Sequence, residues 1–488
     1  MMLRTCHVLC SQARPSAGGW KPLSFDGGAF HLKGTGELTR ALLVLRLCAW
    51  PPLVTHGLAL QAWSQRLLGS WLSGALLRAS VYGQFVAGET AEEVRGCVQQ
   101  LQTLGLRPLL AVPTEEEPDS AVRTGEAWYE GNLRAMLRCV DLSRSLTETP
   151  VPTGNILMQL KVTALASTRL CKELTSWVRR PEAPLELSPE RLAEAMDSGQ
   201  DPQVSCLSAE QNRHLQASLS RLHQVVQHAR ARHVRLLVDA EYTSLNPALS
   251  LLVDALAMRW NSPQEGGPWV WNTYQAYLKD THERLKRDAE AADRAGLAFG
   301  VKLVRGAYLD KEREVARVQG TEDPTQPDYE ATSWSYSRCL ELMLTRVSYS
   351  GTRCHLMVAS HNEESIRQAT KRPHAGPTQP QDSLPPSQSL SPSPSQCLAR
   401  LPPRACSWCS CSTLPDGSAV PGSEGPAGQA GYAVYKSIPY GSLEEVIPYL
   451  IRRAQENRSV LQGSRREQEL LRQELRRRLL GRGLRVPH

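Results

Sequence analysis

Short apolar runs alternate with charge-patterned stretches along most of this chain, and that alternation restricts the fold more than any single residue does. The strand-like runs are Leu109–Val112, Ile156–Thr163, Val234–Ala240, Val270–Ala276, Phe299–Val304, His355–Ala359 and Ala433–Ile438. Segments with helical spacing lie between them, among them Ser208–Ala229, Thr281–Ala295 and Asp328–Thr345. A strand that must cross a helix before the next strand predicts parallel β/α units. The periodicity alone permits a (β/α)8 barrel or a doubly wound sheet. In either, chemistry gathers at the C-terminal strand ends. Lys161, Asp239, Gln275, Arg305, Tyr308, His361 and Ser437 fall at or just beyond those ends.

The strongest chemical signal lies near the C-terminus. Val434-Tyr435-Lys436-Ser437-Ile438-Pro439-Tyr440-Gly441 leads to Tyr449-Leu450-Ile451-Arg452-Arg453-Ala454-Gln455-Glu456-Asn457. Two adjacent arginines on a helix after an apolar strand make a fork for a carboxylate, because each planar guanidinium donates two parallel hydrogen bonds. Glu456 follows about one turn later and is placed to hold an arginine. A solvated basic helix face is the plainer alternative for the pair taken alone.

With 488 residues the chain accommodates one barrel of about 250 residues plus extensions. The expected divisions are a possible mitochondrial presequence at 1–25, a helical extension at 26–105, the barrel at 106–458 and a basic tail at 459–488. The first segment carries Arg4 and Arg14 and no acidic residue before Asp26, which suits a presequence. Ala41 to Leu60 is apolar, but Arg46, Pro51, Pro52 and His56 interrupt it, so a packed or membrane-touching helix is expected rather than a span. The net charge of +7 is concentrated in the tail, where Glu467, Glu469 and Glu474 interleave with arginines. A solvated amphipathic helix is the expectation, with anionic lipid as the sharper partner. No reading motif or interleaved aromatics support nucleic acid.

The thirteen cysteines are scattered and read as mostly reduced thiols. Cys406 and Cys409 have zinc-ligand spacing but no second pair follows, so no metal is expected. Lys371 to Gln429 interrupts the strand–helix alternation. It contains the Pro/Ser-rich run Ser383–Ser395 and is expected to be disordered over 372–428. Seven strands are legible where a barrel needs eight, and the missing one falls in this gap. A transcript-level change and a genuine insertion both account for it.

Five further blocks, taken with the arginine run, resemble the proline dehydrogenase family in chain order. They are Leu160-Lys161-Val162-Thr163-Ala164-Leu165, Val238-Asp239-Ala240-Glu241, Asn272-Thr273-Tyr274-Gln275-Ala276-Tyr277, Val301-Lys302-Leu303-Val304-Arg305-Gly306-Ala307-Tyr308 and Ala359-Ser360-His361-Asn362. The resemblance implies a distorted (β/α)8, TIM-like barrel with the last helix over its mouth and a helical N-terminal extension. It implies FAD bound on that mouth, contacted by Gln275, Lys302, Arg305, Gly306, Tyr308, His361 and Asn362. This suits the absence of a Gly-x-Gly-x-x-Gly fingerprint after a strand.

Within the family the likeness is greatest to the branch that oxidises hydroxyproline. Many relatives carry Tyr, packed on the proline ring, where this chain has Ser437. A small hydroxyl there opens space and offers a hydrogen bond to a ring hydroxyl. The resemblance implies Arg452 and Arg453 on the substrate carboxylate, with Glu456, Ser437 and Tyr449 completing the pocket. Lys161, Asp239 and Tyr308 are the catalytic candidates, the first two as an ion pair. The implied reaction takes a hydride from C5 of trans-4-hydroxy-L-proline to FAD, giving 1-pyrroline-3-hydroxy-5-carboxylate. Electrons would pass to a membrane quinone, with the protein peripheral to the matrix side of the mitochondrial inner membrane. A proline dehydrogenase of loose specificity and a dead barrel acting as an interaction protein are the alternatives.

Overall fold

In the computed structural model the described residues are 33–114, 125–146, 156–350, 353–360, 362–370, 432–456 and 465–481, with the backbone of Thr5–Cys10 and Cys406–Cys411. The strands are β1 (Thr5–Cys10), β2 (Leu106–Ala111), β3 (Ile156–Leu160), β4 (Val234–Val238), β5 (Val270–Gln275), β6 (Phe299–Val304), β7 (Cys354–Ser360), β8 (Cys406–Cys411) and β9 (Tyr432–Pro439). From β2 to β8 each strand lies parallel to the next. β9 runs parallel to β2 in unbroken register from Leu106↔Val434 to Ala111↔Pro439, and the sheet closes into a barrel.

The gap expected in the seventh position is filled. β8 pairs with β7 from Leu356↔Cys406 to Ser360↔Ser410. Ladder hydrogen bonds are made by backbone, so the open edge of β7 can be satisfied by a Cys/Ser/Trp segment that lacks an aliphatic strand pattern. The remainder of the Pro/Ser-rich segment lies outside the described residues. β8 and β9 meet directly only at Trp408↔Val434. β1 runs antiparallel to both and fills the splay between them, although its residues fall in the stretch read as a presequence.

Burial follows from coverage on both faces. All five residues of β4 and all seven of β7 are buried, as parallel strands with helices outside and side chains inside require. The helix Ala209–Ala231 shows how local sequence sets these elements. Ser208 Oγ accepts from Gln211 N at 3.2 Å, and Gln211 Oε1 accepts from Ser208 N at 2.8 Å, a reciprocal cap on the first turn. Leu215, Leu219, Leu222 and Val226 then recur on its buried face.

The N-terminal extension forms helices Thr35–Cys48, Pro51–Thr55 and Gly57–Leu77, in place of one helix over Ala41 to Leu60. Val44, Tyr82, Phe85 and Val86 pack against Val446, Ile447 and Leu450 of the final barrel helix, Leu443–Glu456. Tyr82 Oη donates to Gly441 O at 2.8 Å, and Ala87 N to Pro439 O at 2.9 Å. The extension is thus the bracket of the arginine-bearing helix. The basic helix Arg465–Gly481 docks Leu471 on Leu38, Ala41 and Leu45, and Arg478 Nη1 donates to Lys33 O at 2.6 Å. Among the described residues no helix is long and apolar enough to cross a membrane.

Candidate active site at the C-terminal mouth of the barrel

Alternation along each strand sends Gln159 and Lys161 of the β3 end, Asp239 after β4, Thr273 of β5, Lys302 of β6 and Ser437 of β9 inward. They form a polar layer above the apolar bore of Leu109, Leu157, Leu237, Trp271 and Met357. Lys302 Nζ donates to Asp239 Oδ1 at 2.7 Å, and Lys161 Nζ lies 4.0 Å from Asp239 Oδ2. Both lysines are nearly buried, at 7% and 6% exposure. One carboxylate held by two ammoniums satisfies the desolvated charges. The sequence-based pair Lys161–Asp239 is therefore a triad, and Lys302 makes its shorter contact.

Gln275 closes a second network. Its Oε1 accepts from Asn246 Nδ2 at 2.9 Å, and its Nε2 donates to Glu241 O at 3.2 Å. Glu241 is buried and accepts from Thr163 Oγ1 with both oxygens at 2.9 Å. Each end of the Gln275 amide already holds a protein group, so it braces the loop after β4. A ligand contact would use its remaining hydrogen or lone pair. Glu241, Thr163 and Asn246 were not singled out by sequence, although Glu241 closes the Val-Asp-Ala-Glu block.

After β6 the chain turns at Gly306, where φ is +132° and an added Cβ would lie 1.9 Å from the Tyr277 ring. Only glycine fits. That turn presents Arg305, whose Nη2 donates to Ser333 Oγ at 2.8 Å and whose guanidinium lies 4.7 Å from the Tyr329 ring centre. Burial lowers its pKa, and its buried Nη1 makes no hydrogen bond. Asn362 stands beside it. Asn362 Nδ2 donates to Tyr329 Oη, and Oδ1 accepts from Ser365 N at 2.8 Å, capping the helix Glu363–Thr370. His361 lies outside the described residues.

The arginine pair reaches the turn after β6 from the helix Leu443–Glu456. Arg453 Nη1 donates to Tyr308 Oη at 3.3 Å and sits between the Tyr308 and Tyr449 rings, 5.8 and 5.3 Å from their centres. Tyr308 is buried and stacks on Tyr242 at 4.4 Å. Ser437, 9% exposed, donates from Oγ to Gln159 Oε1 at 2.6 Å. Gln159 is a further residue missed in sequence; its signal was the two-residue step to Lys161. Glu456 occupies the last turn of the helix, and its side chain lies outside the described residues.

Arg452, Arg453 and Tyr308 line a cavity of ≈ 1280 Å³ that extends over the loops after β4, β5 and β6. Lys279 on its wall pairs with Glu322 at 2.7 Å, and Asp254 and Asp288 stand near Arg284 and Arg287. Burial raises the Glu312 carboxyl above its ordinary range, although Thr243 N and Oγ1 donate to it. The space suits an extended ligand with anionic groups, with a small carboxylate seated under the arginines.

The comparisons agree with this geometry. The family model described as "Proline dehydrogenase" matches residues 148–391 and 410–466. The unmatched interval between them is narrower than the 372–428 read from the motifs. A Bos taurus protein named "Hydroxyproline dehydrogenase" is 78% identical, with all of both chains covered. The Homo sapiens protein of that name is 76% identical over the same full coverage. The Homo sapiens "Proline dehydrogenase 1, mitochondrial" is 29% identical over 92% of this chain and 88% of its own. Among solved structures, proline utilization A from Bdellovibrio bacteriovorus inactivated by N-propargylglycine superposes with a TM-score of 0.54 at 18% identity. That likeness covers 82% of this chain and 36% of that longer one, and it carries the fold alone. A closed parallel barrel with its polar layer under an arginine helix, and a family match over most of its length, place this chain in the proline dehydrogenase family.

Proposed function

We propose that this chain oxidises trans-4-hydroxy-L-proline to 1-pyrroline-3-hydroxy-5-carboxylate with bound FAD and passes the electrons to a quinone at the matrix face of the mitochondrial inner membrane. The observation that carries the reading is the Lys161–Asp239–Lys302 cluster and Ser437 at the C-terminal strand ends, with Arg452, Arg453 and Tyr308 sharing one cavity. The relatives named hydroxyproline dehydrogenase support the substrate, and those named mitochondrial support the location. Closure of the sheet by β8 removes the physical reason for expecting a dead scaffold.

The residues fit FAD. The Tyr277 ring holds the turn at Gly306 to glycine, Arg305 Nη1 is a buried donor without a bond, and Tyr308 of the same turn lines a large cavity. Arg305, Gly306, Tyr308 and Lys302 would hold it, with Gln275, His361 and Asn362 at its edge. When bound, FAD supplies the two-electron acceptor that a cyclic secondary amine lacks.

This chain's side chains do the positioning. Arg452 and Arg453 clamp the carboxylate, and Tyr308, anchored by Arg453 and Tyr242, walls the ring. A protonated nitrogen opposes the developing iminium charge, so the amine loses its proton to water before oxidation. Ser437 spends its hydrogen on Gln159, which leaves its oxygen as an acceptor. Gln159 Nε2 is the matching donor. Together they complement a ring hydroxyl, whereas proline leaves both without a substrate partner.

Dye-coupled oxidation by the purified full chain tests the reading. Hydroxyproline should be preferred to proline by kcat/KM, and Ser437→Tyr should reverse that preference by roughly tenfold or more, the scale set by a lost pocket hydrogen bond. Equal efficiencies in the wild type, or an unchanged ratio in the variant, would refute the assignment of Ser437.

A further inference from the structure

The helix Gly57–Leu77 leaves helical geometry at Gly69, where φ is 74° and ψ is 163°. Ser64 and Ser73 nevertheless touch, Oγ to Oγ at 2.8 Å. Nine residues of unbroken helix would set them about 13.5 Å apart along the axis. The chain therefore doubles back at Gly69 into a helical hairpin stitched on its inner side by two hydroxyls.

This hairpin is inverted relative to a soluble helix. Its buried residue is a serine, Ser73. Its exposed residues are Trp63 at 61%, Leu67 at 62% and Trp71 at 83%, with Leu68, Leu72 and Leu76 beside them. A contiguous apolar surface of this kind on a folded chain marks a contact site. Charge says which kind. From Leu38 to Gly88 there is no acidic residue, while Arg40, Arg46, Arg66 and Arg78 are present. Tryptophan and leucine at a tip, arginine at its flanks and no carboxylate are the composition of an interfacial lipid contact. A second copy of the chain would set the same arginines against each other.

We propose that the Gly57–Leu77 hairpin is a monotopic insertion device for an anionic bilayer. Leu67, Leu68, Trp71 and Leu72 enter the acyl boundary, and Arg66 meets lipid phosphates, while Arg78 is held by Glu89 at 2.5 Å. The hairpin's base adjoins the arginine helix. A Cβ on Gly57 would lie 2.9 Å from Ile451 Cγ2, and Gln455 Nε2 donates to Val54 O at 3.0 Å. Insertion therefore sets the helix bearing Arg452 and Arg453 beside the lipid phase. The proposal rests on the quinone reading only for what the membrane delivers there.

The test uses the full chain with vesicles of phosphatidylcholine alone or mixed with phosphatidylglycerol. Wild type should co-sediment with the anionic vesicles. Leu67→Ser/Trp71→Ser should bind at least about tenfold more weakly, since both side chains lose their apolar burial. Hydroxyproline oxidation with a water-soluble dye should be unchanged. Equal binding by wild type and variant, or no binding by wild type, overturns the proposal. So does a wild-type dimer that the double variant dissociates, without vesicle capture. Vesicle binding lost in the variant, with neither chain oxidising hydroxyproline, upholds the surface and refutes the enzyme reading instead.

Discussion

The two ends of the barrel bore both bury cations, and they treat them in opposite ways. At the N-terminal end Arg235 Nη2 donates to Gly266 O at 3.0 Å, and Nη1 lies 3.5 Å from His355 Nδ1. Its guanidinium lies 5.6 Å from the centre of the Trp269 ring, and burial lowers its pKa to about 10. Arg107 lies over the Tyr435 ring at 5.8 Å. Rings, a carbonyl and an imidazole enclose these charges. At the C-terminal end the lysines share Asp239, and Arg452, Arg453 and Tyr308 line a cavity. A cation enclosed by rings has no room for a new partner. At the C-terminal end a carboxylate holds the cations instead. The same inward alternation therefore builds a plug at one end and a site at the other.

Exchanging arginine for methionine at each end should break this comparison most sharply. Arg453→Met removes one arm of the proposed carboxylate clamp, and losing a desolvated charge partner typically costs ~2–5 kcal/mol. The kcat/KM for hydroxyproline should accordingly fall by roughly 30-fold to several thousand-fold. Arg235→Met should leave it within about threefold, because an enclosed cation replaced by an apolar side chain is often tolerated. Steady-state kinetics on both variants check the contrast, and similar losses would erase it.

Glycines offer a second pair. Gly306→Ala places Cβ 1.9 Å from Tyr277, and Gly267→Ala places one 2.6 Å from His355, both at positive φ. Each should lower stability by about 1–3 kcal/mol or more. Only Gly306→Ala should also release flavin, measured as the absorbance ratio near 450 nm to protein at about equal occupancy in wild type and Gly267→Ala. Flavin lost equally from both would mean that the cradle after β6 has no special role.

Much of this was legible because strand ends are legible. Phe299–Val304 matches its expected bounds, and Ile156–Thr163 is shortened only because Val162–Ala164 turns into a 3-10 helix. Lys161 and Asp239 stood out as polar residues closing apolar runs. Lys302 stood out as a flavin contact, but its pairing with Asp239 did not, because that contact joins residues 63 apart across the mouth and leaves no local trace. β8 was missed because its place is fixed by backbone pairing with β7, not by side-chain pattern. The Ser64–Ser73 contact was equally invisible, since residues nine apart on one helix do not meet.

The smallest expected effect lies on the outer wall of the cavity. Asp254 is only partly covered by area, but the crowding protein pushes its carboxyl up to about 7, and the nearby Asp288 carboxylate adds to the rise. Asp288 is itself raised by burial and accepts from Tyr274 Oη at 3.0 Å. In the folded state Asp254 therefore keeps its proton where the unfolded chain has released it. Stability from this group is full below about pH 4 and declines as pH rises toward 7. Asp254→Asn should raise the melting temperature at pH 8 and match wild type near pH 4. A difference that stays constant with pH would contradict the assignment.

The most direct test of the account is an anaerobic titration of the purified chain with trans-4-hydroxy-L-proline, followed by flavin absorbance. Wild type and Arg235→Met should be yellow and bleach over the same concentration range, while Arg453→Met should be equally yellow and need far more substrate. A colourless wild type, or an Arg235→Met that shifts as far as Arg453→Met, would contradict a flavin site at the C-terminal mouth.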